Sequence, residues 1–272
     1  MPKLRVLYVA SEIVPFLQTS SVADFMSTLC HYMQEKEEVE IRILVPRFGL
    51  INEKKNRLHE VVRLSGVNIT VGDKKTPLVI KVASIPNTRL QVYFIDSEEY
   101  FKRKAVFYDQ DDQFFKDNGE RIIFFCKGAL ETAKKLEWSP DIIHCHDWIA
   151  SLVPMYLQTI YRNEPILKKA KALFTLYNNT FTHLLEKDLA EKVGRVGADA
   201  LAPLATADFK GLIQTGIKHA DKVTKAEALQ DTYFKGVVDE KALTCIKNDE
   251  EGLAAYYQLY QELSGKSLAV DQ

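Results

Sequence analysis

Short apolar runs alternate with helical patterns along most of this sequence, and that alternation is the feature that most restricts its fold. Residues 4–10 form a compact apolar run that ends in polar residues, as expected of a buried strand. Apolar residues then recur at helical spacing between Val22 and Met33, after Ser20 and Ser21, either of which can cap a helix. Residues 41–45 are a second apolar run, stopped by Pro46. A strand, a helix and a strand in this order imply a parallel sheet.

The same alternation continues in the second half of the chain. Strands are predicted at residues 141–145, 172–176 and 222–224, and helices at residues 118–137, 149–161 and 209–220. Helical excursions are expected between residues 180 and 210. The predicted fold class is therefore α/β, as a single Rossmann-like layer sandwich.

The middle of the chain has a different pattern, with short strands and no long helix between them. Strands are predicted at residues 59–64, 78–83 and 91–95, separated by turn residues such as Gly72-Asp73 and Pro86-Asn87. This spacing predicts a β-hairpin or meander inserted on the main sheet.

Composition excludes several classes of protein. Thirty-six basic and 37 acidic residues give a formal charge of −1, which argues against a nucleic-acid binder. Only 12 of 272 residues are glycine, about 4% against an average near 7%, which argues against glycine-rich phosphate loops. The four cysteines are far apart and lack C-x-x-C spacing. No run approaches the roughly 20 apolar residues that span a bilayer, so a cytoplasmic protein without membrane contact is expected.

The densest polar cluster is His144-Cys145-His146-Asp147-Trp148, at the end of a predicted strand. Open parallel sheets bind ligands at that edge, so these side chains are candidates to line a site. Two alternatives stand beside this one. The side chains can form hydrogen bonds within the turn, with Asp147 capping the next helix, or the H-x-H pair can hold a metal because both histidines share a face.

The turn after the first strand, residues 11–21, leads into a helix N-terminus. Free amides there attract anions, but the serines can equally cap the helix. Neither G-x-G-x-x-G nor G-x-S-x-G occurs. Gly265-Lys266-Ser267 lacks the other glycine of a phosphate loop, because Tyr260 stands five positions earlier.

Several segments together resemble the N-terminal half of bacterial glycogen and starch synthases, which are ADP-glucose-dependent retaining glucosyltransferases of GT-B fold. The resemblance covers about residues 3–225 in matching order. Its segments are VLYVASEIVPF, LVPRFGLI, KDNGERIIFFCKGALETAKKLEWSPDIIHCHDWIASLVPMYL and GLIQTGIKHADKVT.

The resemblance implies one catalytic position, Asp147, which matches an acidic residue of the family's active-site cleft. It also implies a set of substrate-binding positions: Glu12, Thr19, Ser20, Asp24, Asn118, His146, Trp148, Tyr177 and Asn178. It implies neither a metal nor a cofactor.

Two departures from the family pattern fall at functional positions. The family's Lys-Thr-Gly-Gly-Leu loop, which helps to grip the donor's phosphates, is here Gln18-Thr19-Ser20-Ser21-Val22. The family's Thr-x-His-Asn motif, which carries a catalytic histidine, is here Thr175-Leu176-Tyr177-Asn178. The lysine, both glycines and the histidine are therefore replaced.

The resemblance also bears on domain organisation. A complete synthase is nearly twice as long, and its second Rossmann domain binds most of the sugar nucleotide. Residues 250–264 nevertheless resemble the family's last helix, which crosses back onto the N-terminal domain. We therefore expect a Rossmann-like domain at 1–230 and a polar linker with a returning helix at 231–272, the donor domain having been lost between them.

Three functions follow as hypotheses. The first is a synthase-like domain that is inactive alone and binds a glycan, regulates a synthase or depends on a partner. The second is a glucosyltransferase active from ADP-glucose to an α-1,4-glucan with a partner chain that supplies the donor domain. The third is a metal-dependent hydrolase built on H-x-H. The expected ligands are an α-glucan or a sugar nucleotide, with Tyr108, Trp148, Tyr177 and Phe181 as candidate stacking faces.

Overall fold

The computed structural model describes residues 3–239 and 243–266, and these form one large sheet with helices on both faces. Across that part of the chain the sheet has nine strands in the order β11-β10-β9-β8-β1-β2-β7-β6-β3. Its strands are β1 (Leu4–Val9), β2 (Val39–Pro46), β3 (His59–Glu60), β6 (Val79–Ser84), β7 (Gln91–Asp96), β8 (Ile142–His146), β9 (Lys171–Leu176), β10 (Lys222–Lys225) and β11 (Thr244–Cys245). A separate hairpin joins β4 (Asn68–Val71) to β5 (Lys74–Pro77).

The sheet is parallel from β11 to β7 and antiparallel only at the β6 and β3 edge. The longer helices are α1 (Ser21–Gln34), α3 (Asn118–Lys135), α4 (Leu152–Gln158), α7 (Phe209–His219) and α9 (Glu250–Ser264). The described residues also contain four one-turn α-helices: α2 (Glu98–Phe101), α5 (Leu189–Lys192), α6 (Ala198–Leu201) and α8 (Asp231–Phe234). The predicted α/β class and Rossmann-like layering are confirmed.

Alternation along the strands sorts the core into two layers. Val6 and Tyr8 of β1 face a layer built with α1 and α9, whereas Leu7 and Val9 face a layer built with α3, α4 and α7. Burial of apolar surface on both faces explains why β1 is almost continuously apolar.

The chain changes direction in the sheet between β1 and β8. From β1 it proceeds to β2 and β7 on one side, and then returns to place β8 on the other side of β1. The loops that follow β1 and β8 therefore diverge and leave a crevice at the carboxyl edge. Glu12 follows β1 and Asp147 follows β8, so the topology brings two carboxylates to this crevice.

Helix α9 lies on the sheet and is tied to it by buried polar groups. Tyr260 contributes a hydroxyl 2.7 Å from Nδ1 of His144 and 3.2 Å from the hydroxyl of Tyr8. The Tyr256 hydroxyl lies 3.0 Å from Oγ1 of Thr175 and 3.1 Å from Oγ1 of Thr224. All six of these residues are fully buried.

The structure differs from the sequence-based prediction in the middle of the chain. The strand predicted at 59–64 is only His59–Glu60, because the chain turns at Val61–Leu64 and Leu64 buries its side chain in the core. The helix predicted at 149–161 is a 3-10 turn at Trp148–Ala150 followed by the shorter α4. The division at residue 230 stays a prediction, and residues 240–242 and 267–272 lie outside the described part.

Among the helices of residues 3–239 and 243–266, none has the length and apolar character needed to cross a bilayer.

Candidate active-site cleft

A cleft of about 260 Å³ opens at the crevice between β1 and β8. Polar groups come from the loop after β1 and from the residues after β9, and aromatic groups come from the loop before α3. The lining residues are Ser11, Glu12, Leu17, Thr19, Phe48, Val106, Phe107, Tyr108 and Asn179. Two of the predicted site residues, Glu12 and Thr19, therefore line the cleft directly.

Glu12 is buried, and its carboxylate is surrounded by donors from the chain itself. One oxygen accepts from the amide of Thr19 at 2.6 Å and from its hydroxyl at 2.8 Å. The other oxygen accepts from the amide of Ser20 at 2.8 Å and from its hydroxyl at 2.5 Å. The amides of Thr19 and Ser20, directly before α1, thus already hold a carboxylate and are not available to another anion.

The start of α1 is completed by local contacts. Ser20 is the N-cap residue, and its hydroxyl oxygen accepts from the amide of Val22. Asp24 lies on the exposed first turn of α1. The side-chain amide of Gln18 donates a hydrogen bond to each oxygen of the Asp24 carboxylate. Gln18, at the position of the family's lysine, therefore serves to fix Asp24.

Asp147 sits in a backbone conformation that few side chains adopt. Its φ of 67° lies in the left-handed region, and the residue is only 1% exposed. The side chain does not cap the following 3-10 turn; its carboxylate accepts from Nδ2 of Asn179 instead. Burial is the main cause that raises the pKa of Asp147 to about 8; hydrogen bonds from Trp148 and Asn179 oppose the rise, and the charge of Glu12 adds to it.

This raised pKa predicts a distinctive pH dependence for an Asp147→Asn variant. The ordinary pKa is 3.8 and the folded value about 8, so the contribution of Asp147 to stability is complete below pH 4 and is lost as the pH rises to about 8. We expect the variant's free energy of unfolding, minus that of the parent, to increase across that range by up to about 1.4 kcal/mol per pH unit. Urea denaturation of both proteins measures it, and a difference independent of pH would contradict the assignment.

His146 and Tyr177 lie together beneath the cleft edge, not in the cleft. The Tyr177 hydroxyl is 2.8 Å from Nδ1 of His146, and both residues are buried on the α1 and α9 side of the sheet. Phe25 of α1 packs edge-on against the Tyr177 ring. Tyrosine at the position of the family's catalytic histidine is therefore part of the core.

The two histidines of the H-x-H segment are engaged with hydroxyl groups. Nδ1 of His144 contacts Tyr260 and its Nε2 contacts Thr175, both at 2.7 Å. Burial lowers the pKa of His144 well below its ordinary value and that of His146 to about 3, so both rings are neutral at pH 7. Within the residues that the structure describes, no three His, Cys, Asp or Glu side chains gather as metal ligands. This arrangement gives the hydrolase hypothesis no support.

Trp148 begins a chain of aromatic contacts that runs from the core to the rim of the cleft. Its ring packs on Phe107 and Phe181, with centroids 4.4 and 4.8 Å apart. Phe181 stacks on Phe114 at 5.0 Å, and Phe114 stacks on the exposed His183 at 5.1 Å. We call these residues, with Tyr108, the aromatic cluster. Tyr108 lies 5.6 Å from His183 and lines the cleft.

Asn118 holds the loop that carries Phe107 and Tyr108. Its Nδ2 donates to the carbonyl of Phe107 at 3.0 Å, and its Oδ1 accepts from the buried Arg121. Arg121 also donates to the carbonyl oxygen of Val106 at 2.6 Å. The side chain of Asn118 thus positions one wall of the cleft and does not line the cleft.

Asn178 faces away from the cleft, toward the segment after β10. It donates to the carbonyl of Ala228 and accepts from the amide of Gln230, both at 2.8 Å. Its neighbour Asn179 lines the cleft in its place. The sequence argument overlooked Asn179, although its position just beyond a predicted strand was available as a signal.

Glu186 is a second residue that sequence reasoning missed. Its carboxylate accepts from the amides of Gly119 and Glu120 at 2.9 Å and so caps α3. This contact fixes the loop that carries His183 of the aromatic cluster. Nothing in the local sequence pattern indicates it, because the partners are more than sixty residues apart in the chain.

A crevice at the switch point of a parallel sheet, with a helix that returns to the first strands, is the arrangement of one Rossmann-like half of a GT-B fold. The family description "Starch synthase catalytic domain" matches residues 5–241. The chain belongs to that family.

Curated relatives agree with this assignment. A glycogen synthase of Chlorobium limicola is 37% identical over 256 residues, which cover 87% of this chain and 50% of that protein. A glycogen synthase of Chlorobaculum tepidum is 38% identical over 250 residues, covering 88% of this chain and 48% of the relative. The chain thus spans about half the length of the curated relatives that it matches.

A solved structure has the same fold. The catalytic domain of starch synthase IV from Arabidopsis thaliana, bound to ADP and acarbose, superposes with a TM-score of 0.65 at 22% identity. The match covers 96% of this chain and 50% of that one.

Proposed function

We propose that this chain is a glucan-binding domain of the starch synthase type that transfers no glucose by itself. The observation that carries the proposal is the aromatic cluster at the rim of the cleft. Tyr108 lines the cleft with the polar groups of Thr19 and Asn179, and its ring is held by edge-on contacts with Phe114 and His183. Sugars are bound by such combinations, since ring faces cover their apolar C–H surfaces and nearby polar groups pair with their hydroxyls.

We infer that the chain transfers no glucose because two positions differ from those that serve the reaction in other members of the family. The amides of the loop after β1 are occupied by Glu12, and Gln18 brings no charge to a phosphate. Tyr177, at the position of the family's catalytic histidine, is 2% exposed and bonded to His146. A donor phosphate would have to displace a buried carboxylate, and no imidazole faces the cleft from position 177.

A second function has one observation in its favour. Glu12, Asp24 and Asp147 remain at positions that match the family, and Asp147 is strained and buried at the cleft. Strained residues concentrate at functional sites. A partner chain that supplies a donor domain would make this half catalytic.

A cytoplasmic location of this protein stays a prediction.

The glucan site is tested by removing one ring of the aromatic cluster. We expect Tyr108→Ala to weaken binding of maltoheptaose about tenfold, since truncation of an aromatic anchor typically costs over 1 kcal/mol. Isothermal titration calorimetry provides the dissociation constants. Tyr32→Ala, which removes a partly buried ring from α1, is the matched control and should bind as the parent does. Equal weakening in both variants would refute a site at the aromatic cluster.

A further inference from the structure

A second and larger cleft lies at the antiparallel edge of the sheet. Its volume is about 790 Å³, and its walls are the segment before β3 and the turn between β6 and β7. Phe16, from the loop after β1, also lines it. We call it the edge cleft. No residue of the edge cleft belongs to the candidate site described above.

The edge cleft is positively charged. Lys55 and Arg57 line it with exposed side chains, and neither forms an ion pair in the part of the chain that the structure describes. His59 adds a ring that is also exposed. The nearest carboxylate in sequence, Glu53, is already paired with Arg47 and Lys81. No aspartate or glutamate lines the cleft, so its field favours an anion.

Backbone strain occurs on both walls of the edge cleft. Arg57 has a φ of 54° and Asn87 a φ of 62°, both in the left-handed region. Asparagine tolerates this conformation, but arginine pays of order 1 kcal/mol for it. Glycine or asparagine would remove the cost, so the strain at Arg57 is consistent with a use for its guanidinium at that point.

Uncharged groups in the edge cleft suit a polyol. The Asn87 amide and the Ser84 hydroxyl line it and form no hydrogen bond with other described residues. Phe16 packs edge-on against Phe94, with ring centroids 5.0 Å apart, and gives the cleft an apolar patch. An ion as small as phosphate would occupy a minor part of the volume.

We infer that the edge cleft binds a small phosphorylated sugar. Lys55 and Arg57 hold the phosphate, while Asn87 and Ser84 pair with hydroxyls and Phe16 supports the apolar face of the ring. The same phosphate and hydroxyl chemistry occurs in a nucleotide, which has in addition a planar base. The edge cleft offers no stacked pair of rings for a base, which favours the sugar phosphate.

The test compares four probes by isothermal titration calorimetry: glucose 6-phosphate, inorganic phosphate, glucose and ADP. We expect saturable binding of glucose 6-phosphate, tighter than that of the other three and weakened by salt. The double variant Lys55→Gln, Arg57→Asn should weaken it at least about tenfold, and asparagine keeps the left-handed backbone at position 57. The matched control Lys54→Gln, Arg63→Gln removes two exposed charges that do not line the cleft.

Three outcomes would overturn the inference. Glucose 6-phosphate binds no more tightly than inorganic phosphate, the control double variant loses as much affinity as the cleft variant, or ADP binds more tightly and its binding depends on Lys55 and Arg57. Circular dichroism of both double variants establishes that they are folded. Failure here leaves the glucan proposal intact, because the two clefts share no lining residue.

Discussion

Replacement of Tyr260 by alanine is expected to lower the free energy of unfolding by about 3–5 kcal/mol, the usual cost of truncating a buried aromatic residue. Tyr260 is fully buried between α9 and the sheet. The truncation leaves a cavity and also removes a hydroxyl that contacts His144 and Tyr8. Because both partners are fully buried, neither can turn to water instead.

The matched variant Tyr260→Phe separates the two effects. It keeps the ring and removes only the hydroxyl, so we expect a smaller loss of about 1–3 kcal/mol from the unpaired groups on His144 and Tyr8. Urea denaturation followed by circular dichroism measures both variants. If Tyr260→Ala lost under 1 kcal/mol, α9 would not be an integral part of this fold.

The substitution Glu12→Gln is expected to have the second large effect. The carboxylate accepts four hydrogen bonds, two from Thr19 and two from Ser20. A glutamine amide presents an NH₂ group to one of these pairs, so the backbone amide there faces another donor and the hydroxyl must turn from donor to acceptor. Hydrogen bonds to a charged group contribute about 1.5–3 kcal/mol each, and we expect a total loss of about 2–4 kcal/mol.

Amide hydrogen exchange tests whether the loss of stability in Glu12→Gln is greatest in the loop after β1. The amides of Thr19 and Ser20 should exchange faster in Glu12→Gln than in the parent, ahead of the amides inside α1. Asp24→Asn is the matched control, since Asp24 is exposed and receives side-chain hydrogen bonds only from Gln18. Surface changes of that kind stay within about 0.5 kcal/mol. Equal losses in the two variants would show that Glu12 does not organise the loop.

The fold and the position of the cleft could be predicted from the sequence because they rest on local patterns. Apolar runs marked the parallel strands, and polar residues after β1 and β8 marked the edge where ligands bind. Serine at position 20 was a correct indication of the helix cap. These features depend on residues close together in the chain.

The orientation of individual side chains was harder to predict. Thr175 and Tyr177 share one face by the alternation of β9, and the next element on that face is α9, more than seventy residues later. Asp147 has a positive φ and is buried behind the cleft wall, where it accepts a hydrogen bond from Asn179, whereas His146 turns to the core. A position at a strand end therefore predicts which segments lie near the cleft, but not which of their side chains line it.

Long-range pairs were beyond sequence reasoning altogether. Glu186 caps α3 from a loop after β9, and Asn179 binds Asp147 from the same loop. These contacts fix the walls of the cleft, yet each depends on two segments that meet only in the folded chain. The turn of the β4 and β5 hairpin was predicted at Gly72-Asp73, but its strands were not, because each has only four residues.

We propose that this chain binds glucan but does not transfer glucose by itself. The most direct measurement incubates the purified chain with glycogen and radiolabelled ADP-glucose, sediments the glycogen, and determines both the protein and the label in the pellet. We expect protein in the pellet and label at the level of a sample without protein. Label incorporated into glycogen, or a pellet free of the protein, would contradict it.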